Sequence, residues 1–161
     1  MRPLTPGETE LAREAFGDSL ECETIRFLPA PWPFDRAFVP GRWFRRDWIV
    51  WPKRSLPADL STAPLGRQST FIHELTHVWQ AQHGVNLLAA EIVIHGDKWY
   101  EQHGVTLLTA KLGAGDSLAS YAYPLAADCD WDRLNIEQQA MVVEHRFRLS
   151  RGMTVPADQA F

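Results

Sequence analysis

The sequence predicts an α+β fold in one domain spanning residues 1–161, with a small, mainly antiparallel sheet in the N-terminal half and a helical C-terminal half. Three observations lead there. The chain has 161 residues, 45% of them apolar and 22% charged, which is enough for one hydrophobic core and too little for two. Between Pro29 and Pro64 seven prolines punctuate a stretch rich in aromatic and β-branched residues, which suits short strands and forbids long helices. After Gly66 the apolar residues recur at helical spacing.

The elements follow in order. Thr5-Pro6-Gly7-Glu8 reads as a helix start, with Thr5 as N-cap, Pro6 in the first turn and Glu8 closing a capping box. Leu11, Ala15 and Phe16 supply the apolar stripe and Gly17 the stop. Residues 24–28 alternate as a half-buried strand does, and 42–44 and 47–51 are further strand candidates on either side of Arg45-Arg46. The span 68–83 predicts a helix through Phe71, Ile72, Leu75, Val78 and Trp79, with Ser69 as its cap and Gly84 as its stop. Residues 87–94, 104–112 and 136–149 are additional helix candidates, with Asp128, Asp130 and Asp132 as caps of the last one or of the turn before it. QHGVNLLAAE (82–91) and QHGVTLLTAK (102–111) agree at seven of ten positions, a local similarity too short for a repeat architecture.

Composition excludes several function classes. The net charge of −4 offers no global positive field for nucleic acid or an anionic membrane, so neither is expected as a partner. No run approaches the roughly 18 apolar residues of a membrane span, and Met1–Glu10 lacks the apolar core of a Sec signal peptide. Cys22 and Cys129 are too few for a disulfide framework, which makes a cytoplasmic protein the expectation. Seven aromatics between Trp32 and Trp51 are interleaved with Arg36, Arg42, Arg45 and Arg46. This pattern reads as a core sheet with arginines extended along it, in preference to a base-stacking surface. The strand 47–51 is a candidate edge for pairing with an extended peptide.

One motif carries chemistry. His73-Glu74-Leu75-Thr76-His77 is an HExxH sequence inside the strongest amphipathic segment. Residues four apart on a helix differ by only about 40° around its axis, so both imidazoles can take corners of one tetrahedral metal site. Glu74, beside them, is the candidate general base, taking a proton from the attacking water and passing it to the leaving amine. Zn²⁺ is the expected metal, since two imidazoles and a carboxylate suit it, with Mn, Ni and Co as the alternatives. Glu137, opening the helix after Asn135, is the favoured third ligand. His83 has metzincin spacing but lies about 240° around the axis from His77, and Gln80 stands where that class needs glycine. His145 is a weaker rival, and Glu144, two turns along nearly the same stripe as Glu137, is a candidate to support a ligand from behind. Tyr121 and Tyr123 are candidate donors to a tetrahedral oxyanion.

The strings Ser69-Thr-Phe-Ile-His-Glu-Leu-Thr-His-Val-Trp-Gln-Ala-Gln-His-Gly84 and Asn135-Ile-Glu-Gln-Gln-Ala140, with Leu4-Thr-Pro-Gly-Glu8 and Phe16-Gly17, resemble a bacterial family of small HExxH proteins. That family is associated with the Rhs and Vgr elements of secretion systems. The resemblance implies a gluzincin-like, single zincin-like domain with His73, His77 and Glu137 as zinc ligands and Glu74 as base. It also implies a peptide or protein substrate, secretion-system partners, and export by a dedicated machine. A catalytically silent adaptor of the same fold, and a zinc amidase acting on a non-protein amide, are the alternative readings.

Overall fold

The computed structural model describes residues 1–90 and 131–155. A four-stranded sheet in the order β1-β2-β4-β3 is built from β1 (Arg2–Pro3), β2 (Ile25–Ala30), β3 (Phe38–Trp43) and β4 (Arg46–Pro52). The outer pairings are antiparallel, but β2 and β4 run parallel through six residue pairs, from Ile25↔Asp47 to Ala30↔Pro52. The sheet is therefore mixed, and its longest pairing departs from the antiparallel expectation. Because β4 lies between β2 and β3, residues 47–51 form an interior strand with no free edge for a peptide.

Helix α1 (Pro6–Phe16) begins as the capping box predicts: Glu8 N–H donates to Thr5 Oγ1 and Thr5 N–H to Glu8 Oε2. Glu8 also does work that local reading misses. Its carboxylate is fully buried, accepts two bonds from the Arg2 guanidinium at 2.6 and 2.7 Å, and accepts the Leu60 N–H at 2.9 Å. One acid thus ties β1, α1 and the 60–62 turn together. Gly7 permits that turn to approach, since a Cβ there would lie 2.2 Å from Ser61 Oγ.

Helix α2 (Leu65–Gln82) carries the HExxH sequence and lays Phe71, Ile72, Leu75 and Val78 into the core against the sheet; these four residues are wholly buried. Phe27 of β2 meets Phe71 at 5.8 Å and Trp51 of β4 at 6.1 Å, centroid to centroid. The helix starts three residues earlier than expected, after Pro64, so Ser69 is not its cap. Its end matches the expectation: Gly84 takes φ +88°, Val85 N–H reaches Gln80 O and Gly84 N–H reaches Ala81 O. Gln82 then fastens this end to the sheet, accepting from Glu21 N–H and donating to the buried Asp47 carboxylate, each at 2.8 Å.

Helix α3 (Ile136–Ser150) is capped by Asn135 in a second capping box, with Gln138. The cap is thus Asn135; Asp132 lies in the short turn Trp131–Arg133 that precedes the helix, and Asp128 and Asp130 lie outside the described residues. Residues 87–90 are helical, whereas the predicted helix 104–112, Cys129, Tyr121 and Tyr123 lie outside the described residues. Among the aromatics of 32–51, Trp51 is buried as a core sheet requires, but Trp32, Trp43 and Phe44 are exposed. No helix among the described residues is long and apolar enough to cross a membrane.

Candidate metal centre

Helices α2 and α3 lie side by side and antiparallel. Gln80 donates to Ile136 O and Gln139 Oε1, Glu137 faces both motif histidines, and Glu144 reaches His73 and Ser69. The crossing brings three atoms to one point. His73 Nε2 lies 3.3 Å from His77 Nε2 and 3.3 Å from Glu137 Oε2, and His77 Nε2 lies 3.4 Å from the same oxygen. His77 and Glu137 are buried and His73 nearly so. His83 instead stacks on Trp79 at 4.2 Å and points its Nδ1 at Trp79 O, outside this group. His145 is buried elsewhere on α3 and does not join the cluster.

The donor chemistry fits a divalent cation. In a tetrahedral site with metal–ligand distances of about 2.0–2.1 Å, neighbouring ligand atoms stand about 3.3–3.4 Å apart, the separation found for all three pairs. The outer ring nitrogens are already committed. His73 Nδ1 lies 3.1 Å from Glu144 Oε2, and an ionised carboxylate can only accept, so Nδ1 is the donor. His77 Nδ1 donates to Gln80 Oε1 at 2.9 Å, the amide being oriented by its two bonds to α3. In their neutral forms both imidazoles therefore aim an Nε2 lone pair at the Glu137 oxygen. Three acceptors at such distances repel unless a cation or a proton stands among them.

Without a cation, protons fill that role. Burial by itself would lower the His73 pKa, but the carboxylates of Glu137 and Glu144 outweigh it and push it up to about 10. Burial acts the same way on His77 and is outweighed by Glu137, so its pKa also rises. Glu137 is held far below the usual carboxylate range: burial opposes this, and the two histidines overcome it. Glu144 is lowered too, against burial, by His73, Arg148 and Ser69.

Glu74 is buried beside the cluster and, with His73 and Glu144, lines a cleft of about 430 Å³ whose other walls include Trp51, Met141 and Arg36. Of the groups that support the ligands, the sequence points to Glu144, whereas Arg148, Ser69 and Gln80 become visible only in the fold. Arg148 Nη2 lies 2.7 Å from Glu144 Oε1, and its Nε donates to Ser69 Oγ, which in turn donates to that same Glu144 oxygen. The available signal was periodic: Glu137, Glu144 and Arg148 fall at spacings of seven and four, one stripe of α3. If the His-His-Glu group holds a divalent cation, replacing Glu144 with Gln is expected to weaken that binding about 10–100-fold without loss of helicity. Competition with a chromophoric chelator, alongside far-UV circular dichroism, measures both.

Fold and site together define a small α+β domain that joins an HExxH helix to a carboxylate-bearing helix through a buried His-His-Glu group. The chain belongs to the family of the VgrG2b effector domain. The solved effector domain of Pseudomonas aeruginosa VgrG2b superposes with a TM-score of 0.71 at 33% identity, over 93% of this chain and 75% of that one. The type VI secretion system spike protein VgrG2b of the same organism is 41% identical over 95 residues, 54% of this chain. That stretch is 8% of the spike protein, so the similarity concerns one small part of it. No family model matches the chain.

Proposed function

We propose that this domain is a zinc-dependent peptidase of zincin type, deployed as a secretion-associated effector. The observation that carries the reading is the triangle of His73 Nε2, His77 Nε2 and Glu137 Oε2, whose edges of 3.3, 3.3 and 3.4 Å suit a tetrahedral cation. Zinc bound there would acidify water toward a pKa of about 7 and polarise a peptide carbonyl. The chain's own residues do the rest. Glu74 takes the proton from the attacking water on its carboxylate and delivers it to the leaving amine. Glu144 and Gln80 hold the Nδ1–H of His73 and His77, which keeps both Nε2 atoms facing inward. The cleft beside Glu74 receives the substrate chain. Support for the effector role comes from the name of the matched VgrG2b domain and its place in a secretion spike, which also suggests secretion-system components as partners.

The test uses untagged protein, its zinc content measured, incubated with a pool of unfolded polypeptides and analysed by mass spectrometry. New termini are expected with the zinc-loaded protein, none after chelation, and recovery on adding zinc back. Stoichiometric zinc with no cleavage of any substrate would favour the adaptor reading.

A further inference from the structure

The turn between β3 and β4 is built against local preference. It is a two-residue connection, Phe44-Arg45, with φ of +52° and +59°. Such turns favour Asn-Gly, because a side chain in the left-handed region crowds its own backbone. Here the positions hold an aromatic and an arginine, and Phe44 is 93% exposed beside a Trp43 that is 56% exposed. Folding accounts for neither the backbone conformation nor the uncovered rings.

At the tip itself the charged side chains are arginines, and the nearest carboxylates are taken up by Arg42. Pairing of Trp43 with Arg46, Gly41 with Trp48 and Arg26 with Trp48 sets Trp43, Arg46, Trp48 and Arg26 on one face of the sheet, opposite buried Asp47, Ile49 and Trp51. Trp48 Nε1 donates to Trp43 O and braces the tip. On the other face Arg42, paired with Asp47, takes up the carboxylates of Glu21 and Asp47, at 3.0 and 3.8 Å. Arg45 and Arg46 make no ion pair among the described residues, and Arg26 directs its Nη1 to the carbonyls of Glu23 and Ile25.

We propose that this hairpin tip docks the domain on a membrane surface bearing anionic phospholipid. Aromatic rings settle at the headgroup level of a bilayer, and free guanidinium groups beside them engage lipid phosphates. A nucleic acid would need a basic track along its backbone, which an acidic chain with a two-residue tip lacks. A stable protein contact uses about 20–30 residues on each side, against the four exposed ones of this tip, Trp43, Phe44, Arg45 and Arg46. The net charge of −4 argued against membranes in the sequence. Salt screens exposed charges beyond about 8 Å at physiological ionic strength, so the groups nearest the lipid decide. The inference stands apart from the peptidase reading and is tested without an activity assay.

Flotation with vesicles of phosphatidylglycerol and phosphatidylcholine, against phosphatidylcholine alone and a fluorescent single-stranded oligonucleotide, is the experiment. The full chain is expected to float with the anionic vesicles only. Phe44→Asn with Arg45→Gly installs the preferred turn, so thermal stability is expected to rise while vesicle partition falls by about tenfold or more. Arg45→Gln alone is expected to cost on the order of fivefold. Absence of wild-type flotation, flotation unchanged in both variants, or tighter binding to the oligonucleotide than to vesicles would each overturn the proposal.

Discussion

Glu74→Gln is expected to lower peptide hydrolysis by about 10²–10⁴-fold while leaving zinc content at the wild-type level, because a general base and a metal ligand fail differently. The amide keeps the volume and the buried position of Glu74 but cannot accept a proton at neutral pH. The three convergent atoms belong to His73, His77 and Glu137, and Glu74 is not among them. His77→Ala gives the opposite pattern, removing one edge of the triangle and with it the metal, so activity and zinc disappear together. Zinc analysis beside initial rates for both variants separates the roles. Should Glu74→Gln lose zinc and activity in parallel, the carboxylate would be structural and the assigned chemistry wrong.

The parts of this site that were legible share one property, namely that a local repeat places them. HExxH on an uninterrupted helix needs only the helical period to bring His73 and His77 together. The apolar and polar order from Asn135 to Ala140 marks the second helix and places Glu137 in its first turn, although its cap proved to be Asn135 with Gln138 and not an aspartate. What escaped depends on which helix meets which. Gln80 could be read only as the absence of a glycine, yet it orients His77 and joins the helices by two further bonds. Ser69 looked like a cap because a serine before an apolar run often is one, and Pro64 began the helix instead. The parallel β2–β4 pair was hidden for a similar reason: β3 comes between them in sequence and is displaced to the edge in space. Glu8 shows both sides, its bond to Thr5 readable from four residues and its bonds to Arg2 and Leu60 only from the fold.

Zinc binding is expected to release protons and to strengthen with pH by about tenfold per unit for each proton displaced. At neutral pH the metal-free His73, with its pKa raised from an ordinary 6.5 to about 10, carries a proton where the cation must sit. At least that proton leaves on loading, so the slope should persist until pH approaches 10. The metal-free fold responds in the other direction. A histidine whose pKa is raised in the folded state contributes its full stabilisation below about 6.5, and this contribution is lost as pH rises toward 10. Glu137 and Glu144, held below the ordinary value of 4.5, stabilise above it and lose that contribution as pH falls. The metal-free protein should therefore unfold at progressively lower temperature from pH 6.5 to 10, while the stabilisation conferred by zinc grows over the same interval. Calorimetric titration in buffers of different ionisation enthalpy counts the protons, and thermal melts with and without zinc follow the two trends. An affinity independent of pH between 6.5 and 9, with no proton released, would mean that the cation binds away from His73, and the triangle of imidazoles and carboxylate would lose its meaning.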